Sequence, residues 1–386
     1  MNCPGGRGGR ALGGGAGLVE YGWICRAKGI PRASIFRILL LASVGLFSYA
    51  AILFLIGFGE IAREISKADI GVLSLSILAS VIGSNLYILG WWVLLRRANL
   101  SCDLGKTFGI MWSDIFLDQA LPAGSFSGEA MRIYLTTKNT IKQIGVSLAT
   151  IIIHRLFSIL PFLVTCCVGL IYLFDKARIS PPIGVAIVAL VTPPFIISGS
   201  LALLTVNDEL ARRGLEGLTG LMLIMGERWR AKASLMRERG LGLIAQYREG
   251  IQAISSEPIA CLTSLSLCSA SFLLELSIPI LVLTSLGKDL PLLAIVTVYV
   301  IGMTIQSMPL FIPGMMGITE AAMTALFSIL NLSPAEAASA AILIRIPMFW
   351  SKLLIGGIVT IYVFRNLGKW KGPPECGDGA AIGERG

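Results

Sequence analysis

The fold turns on two short stretches: Leu121-Pro122-Ala123-Gly124-Ser125-Phe126-Ser127-Gly128-Glu129-Ala130-Met131 and Ile312-Pro313-Gly314-Met315-Met316-Gly317-Ile318-Thr319-Glu320-Ala321-Ala322. In both, a glutamate follows the proline by seven residues and an alanine follows the glutamate. Each interrupts an apolar segment, 106–138 or 292–330, and leaves halves too short for a hydrocarbon core that needs about 20 residues of helix. The pattern predicts two broken or re-entrant helical hairpins. Irregular backbone at membrane depth is tolerated only where protein or a wet cavity satisfies its polar groups. Pro122 and Gly124 at one tip, and Pro313, Gly314 and Gly317 at the other, permit the reversal. Helix N-termini at these tips are expected to bind an anion.

Moving outward, an arginine inside a long apolar helix follows each hairpin. Arg155 lies 26 residues after Glu129, and Arg345 lies 25 after Glu320. Both helices contain a proline, Pro161 or Pro347. This predicts an internal repeat, and the topology below makes it an inverted one, an architecture that places substrate near the midplane between discontinuous helices.

The rest of the chain sets the class. Of 386 residues, 55% are hydrophobic and only 14% charged, against about 25% charged in a soluble domain; the mean hydropathy is +0.78. An all-α polytopic membrane protein is expected, which excludes a soluble enzyme, a secreted disulfide scaffold and a disordered chain. Six spans are read at roughly 38–58, 71–95, 143–174, 182–205, 258–286 and 335–364. The organisation is then a flexible basic segment at 1–34 and a first membrane half at 35–205. A cytoplasmic interfacial amphipathic pair of helices occupies 206–257, followed by a second membrane half at 258–364 and a polar tail at 365–386. With the N-terminus inside, 24 of the 32 lysines and arginines fall on the cytoplasmic side and five outside. That asymmetry is the positive-inside signal of an inner bacterial membrane with both termini cytoplasmic. It also accounts for the net charge of +9 without nucleic acid. The eight cysteines form no CxxC pair and there is a single histidine, His154, so no metal site or cofactor is expected and the thiols read as small packing residues.

Several motifs together resemble the lysylphosphatidylglycerol synthase transmembrane region family. They are Trp91-Trp92-Val93-Leu94-Leu95-Arg96, the Leu121–Arg132 stretch with Gly128-Glu129-Ala130-Met131-Arg132, His154-Arg155-Leu156, the Pro313–Ala322 stretch, and Arg345 with Gly356. The likeness covers most of 38–364. Ala123 stands where members usually have glycine, and Ser158 where they often have an acidic residue. The resemblance implies the lipid-translocating half of enzymes that aminoacylate phosphatidylglycerol. With 22 residues after 364, the soluble transferase domain of those enzymes is not expected, nor is transfer of lysine.

A charge in the bilayer core costs several kcal/mol, so each asks for a partner or a task. Arg155, Arg345 and Lys352 are candidate phosphate ligands, with Glu129 and Glu320 pairing with those bases at rest or meeting a cationic head group. The alternative makes each arginine static glue for the glutamate of its own hairpin. Glu129 and Arg132, three apart, could pair with each other. Asp114 and Asp118 share a helix face and either line a wet vestibule or hold a divalent ion. Glu275 reads as a kink contact or a proton site, His154 as a packing histidine, and Trp91 and Trp92 as interface anchors.

The expectation is therefore a flippase or lipid transporter, not an enzyme, acting on phosphate-bearing or aminoacylated lipids through a groove between the repeats. A membrane-embedded transferase on a polyprenyl-phosphate or glycolipid, with metal at Asp114 and Asp118, is the alternative. A non-transporting partner of a separately encoded lipid-modifying enzyme is the third reading.

Overall fold

The computed structural model describes residues 50, 54, 57–100, 103–121, 126–137, 143–175, 181–224, 227–308 and 312–366. The expected 38–58 span lies almost wholly outside them, as do the tip residues Pro122 and Gly124. Among the described residues the chain is helical, with no strand. In order come α1 (Phe58–Ser66), α2 (Ile70–Arg97), α3 (Leu104–Ala120), α4 (Phe126–Thr137), α5 (Ile144–Asp175), α6 (Pro181–Val206), α7 (Asp208–Ile224), α8 (Glu227–Ser255), α9 (Pro258–Ser285), α10 (Leu292–Gln306), α11 (Ile318–Ile329), α12 (Pro334–Arg345) and α13 (Ser351–Asn366). A 3-10 turn at Pro313–Met315 forms the second hairpin tip, and one π-helical turn at Ile346–Trp350 joins α12 to α13.

Among the described residues five stretches are long and apolar enough to cross a membrane: Ile70–Arg97, Ile144–Asp175, Gly184–Leu203, Pro258–Ser285 and Pro334–Asn366. By contrast α3, with 17 residues, and α10, with 15, reach only about 25 Å at 1.5 Å per residue. Each packs beside the short helix that follows it, α4 or α11, so both interrupted segments fold as helical pairs.

The central contact is between α2 and α9, which run antiparallel along their whole length. The Asp69 N–H donates to the Ser285 carbonyl at 2.8 Å, the Ser264 hydroxyl to the Gly90 carbonyl at 2.9 Å, and Arg97 meets Glu257 at 2.5 Å. Glycine lets the two backbones approach: a Cβ on Gly83 would sit 3.2 Å from the Ser271 carbonyl. Small residues serve this purpose between helices in lipid, where apolar burial between helices adds little drive.

The two halves lay out their elements at nearly constant spacing. Ile70 to Pro258 and Leu104 to Leu292 are each 188 residues apart, Phe126 to Ile318 is 192, and Ile144 to Pro334 is 190. Packing is reciprocal, with α3 against α13 and α10 against α5. A glycine opens each contact. A Cβ on Gly356 would lie 2.8 Å from the Trp112 carbonyl, and one on Gly169 would lie 2.9 Å from Thr297 Oγ1. Two apolar cores result, one around Tyr299 and Phe327 and the other around Trp91 and Met111. Trp91 is thus a core residue, not the interface anchor expected from its place beside Arg96. It is fully buried and donates to Thr150 Oγ1 at 3.1 Å. Trp92 lies beneath the Arg96 guanidinium at 4.9 Å.

Candidate site: a charged cavity between the halves

A cavity of about 450 Å³ opens between the halves. Asp114, Asp118 and Gln119 enter it from α3, Glu129 and Arg132 from α4, Arg155 from α5, Glu275 from α9, Gln306 from α10 and Lys352 from α13. Apolar side chains of α5 and α6, including Ile159, Phe162, Ile197 and Leu201, complete the wall.

Both hairpins are tied by an arginine from the long helix that follows. In the second half Arg345 Nε donates to Glu320 Oε1 at 2.8 Å, Nη1 to Gln306 Oε1 at 3.0 Å and Nη2 to the Gly314 carbonyl at 2.6 Å. Its guanidinium also stacks on Phe349 at 4.5 Å. The pair is closed to solvent, with Arg345 1% and the Glu320 side chain 5% exposed. Arg345 therefore stands behind the cavity wall, whereas Lys352, seven residues on, reaches the cavity and binds Glu275 at 2.5 Å. Glu275 also accepts from the Tyr299 hydroxyl at 3.1 Å.

In the first half Arg155 pairs with Glu129, and this pair is open, with 35% and 27% of the two side chains exposed. Glu129 does not pair with Arg132. That arginine turns inward to Asp114 at 2.6 Å, between the rings of Trp91 and Tyr87 at 5.2 and 5.7 Å. Two aromatic faces and a buried carboxylate hold a guanidinium more firmly than one helical neighbour at i+3.

A carboxylate of the chain itself also reaches the start of α4 and of α11. At the start of α11 the Gly317 N–H donates to Glu320 Oε2 at 2.7 Å, and in α4 the Gly128 N–H donates to Asp118 Oδ1 at 2.8 Å. One N–H near each helix start is thus taken by a carboxylate of the chain itself. Left-handed backbone shapes the second tip, with φ of 55° at Gly314 and 82° at Gly317. A Cβ on Gly314 would collide with the Phe349 ring.

These contacts engage Asp114 with Arg132 and Asp118 with the Gly128 N–H. Among the described residues no group of three or more His, Cys, Asp or Glu could hold one. His154 is fully buried, and its Nε2 donates to the Tyr87 carbonyl at 3.0 Å. Reading the sequence passed over Tyr87, Gln306, Tyr299 and Gln119. For Gln306 there was a usable signal: it stands 188 residues after Asp118, the spacing of the helices themselves.

Fold and site together define a polytopic all-α membrane protein with a charged cavity between two halves of matching layout. The chain belongs to the lysylphosphatidylglycerol synthase TM region family, whose model matches residues 35–356. It is similar to a UPF0104 membrane protein of Methanothermobacter thermautotrophicus, 25% identical over 317 residues, which cover 81% of this chain and 91% of that protein. It is also similar to UPF0104 membrane protein PH1989 of Pyrococcus horikoshii, 24% identical over 328 residues, covering 83% and 96%.

Proposed function

We propose that this chain is a lipid translocase of the cell membrane rather than an enzyme. It passes the head group of a phosphate-bearing or aminoacylated lipid through the cavity while the acyl chains stay in the bilayer. The observation that carries this reading is a cavity lined by seven charged side chains together with apolar side chains of α5 and α6. Its volume suits a head group. Arg155 is the cation best placed to meet a lipid phosphate, because its pair with Glu129 is exposed. An entering phosphate competes with Glu129 for the guanidinium, and that exchange couples binding to movement of the first hairpin. Lys352 is the second phosphate ligand, and Arg345 with Glu320 holds the other hairpin in place. We read the halves as an inverted repeat, supported by the constant spacing and the antiparallel α2–α9 pair. The termini and the α7–α8 pair then lie in the cytoplasm.

The test is reconstitution in liposomes with head-group-labelled phosphatidylglycerol, lysyl-phosphatidylglycerol and phosphatidylethanolamine. Dithionite quenching follows the inner-leaflet signal. The expected result is rapid loss with wild type and slow loss with Arg155→Gln. Equal rates would remove Arg155 from the mechanism, and no movement by wild type would reject the reading.

A further inference from the structure

Among the described residues, every charge lining the cavity but one has an ion-pair partner. Asp114 is paired with Arg132, Glu129 with Arg155 and Glu275 with Lys352. Asp118 has no ion-pair partner among the described residues. Its donors are neutral: the Gly128 N–H at 2.8 Å and the Ser127 hydroxyl at 3.4 Å. The charged groups that act on it are Asp114 on its own helix and Arg132 and Glu129 on α4, with Arg132 committed to Asp114. Around the same cavity α5 contributes Arg155, α13 Lys352 and α2 the Tyr87 phenol. The remaining basic residues of α2 and α13, Arg96, Arg97 and Arg365, lie in their last turns, and the Pro313–Met315 tip has no titratable side chain.

Two further observations bear on the charge of this carboxylate pair. Asp114 is 3% exposed, and while its Oδ2 takes Arg132, its Oδ1 has no hydrogen-bond partner. That oxygen and Asp118 Oδ1 flank Gly128 so closely that a Cβ there would strike both. Gln119 Oε1, one residue beyond Asp118 and also lining the cavity, is likewise buried without a donor. Asp118 is half-buried and Asp114 sealed, and two carboxylates this close, only one of them compensated, disfavour ionising both. One proton removes the excess charge and supplies a donor for Asp114 Oδ1. The other half agrees, because the residue 188 positions after Asp118 is Gln306, which is permanently neutral.

We propose that Asp118 is a proton-binding site of the cavity, protonated at neutral pH and sharing its hydrogen toward Asp114 while the groove is empty. The proton comes from cavity water and returns there on release. Lipid passage through this cavity is then coupled to proton binding, and a pH gradient biases its direction. The inference rests on the cavity being the transport site but names a ligand which that reading does not contain.

The experiment is infrared difference spectroscopy on the purified full chain, without added lipid substrate, across a pH titration. Wild type is compared with Asp118→Asn, which keeps an oxygen acceptor for Gly128. The expected result is a protonated-carboxyl carbonyl band at neutral pH in wild type that is missing from Asp118→Asn. No such band in wild type, or its survival in the variant, overturns the proposal. Displacement of the band at constant pH by sodium would assign the site to a metal cation and also overturn it. Should the variant fail to fold, wild type labelled with [4-13C]aspartate is read instead, and an unshifted band places the proton on a glutamate and overturns the proposal. Lipid movement without the band rejects the proton site alone, and the band without lipid movement rejects the transport reading alone.

Discussion

Replacing Arg345 with methionine separates a hairpin clamp from a substrate ligand. The change removes three hydrogen bonds, to Glu320, Gln306 and Gly314, at 2.8, 3.0 and 2.6 Å. It leaves the carboxylate of Glu320, itself 4% exposed, without its cation. Breaking a buried pair from one side costs about 3–5 kcal/mol, mostly because an uncompensated charge remains. At ~2 °C per kcal/mol, as for larger domains, the melting temperature in detergent should fall by at least about 6 °C. Adding Glu320→Gln to Arg345→Met should recover part of that loss, since the stranded charge is gone. Arg155→Met should lower melting far less, because the partner pair is a third exposed and exposed pairs contribute only about 0–1 kcal/mol. Differential scanning fluorimetry on the four proteins reads all of this. Arg345→Met that melts like wild type yet loses lipid movement would refute the clamp and return Arg345 to the substrate.

Other consequences are simpler to state. Gly128→Ala should destabilise strongly and reduce yield, since its Cβ would collide with Asp114 and Asp118. Gly217→Ala on α7 should raise stability by about 0.5–1 kcal/mol, because nothing lies near the new methyl and a mid-helix glycine is costly; a lower melting temperature would contradict the α7 packing. Lys352→Met should strand Glu275 and slow lipid movement, and Lys352→Met with Glu275→Gln should restore stability but not rate. In a background with the native cysteines replaced, a membrane-impermeant maleimide should label Gly214→Cys only in inverted vesicles and Asp289→Cys only in right-side-out ones, and the opposite pattern would invert the topology.

How much was legible beforehand follows from which interactions are local. Hydrophobic run length, proline and glycine breaks, and the Pro-to-Glu spacing act along the chain, so the five described spans, the broken hairpin segments and the charge-bearing helices were readable from residues alone. Cavity lining residues such as Asp114, Glu129 and Arg155 stood out for the same reason, since a charge in an apolar run is visible without coordinates. Choice of partner was not readable. Glu129 had Arg132 three residues away and took Arg155 instead, because Arg132 is drawn into the Trp91–Tyr87–Asp114 pocket built from two other helices.

Sequence by itself therefore determined the class of protein, the two hairpins and the inventory of intramembrane charges, since solvation by lipid penalises each residue wherever it later packs. Tertiary structure alone decided that Arg345 is sealed and Arg155 open, that Glu320 and Asp118 each take an N–H near a helix start, and that Asp118 has no ion-pair partner among the described residues. Those outcomes depend on distances of a few ångströms between helices far apart in the chain, and electrostatic pairing in a low dielectric is set by such distances rather than by composition.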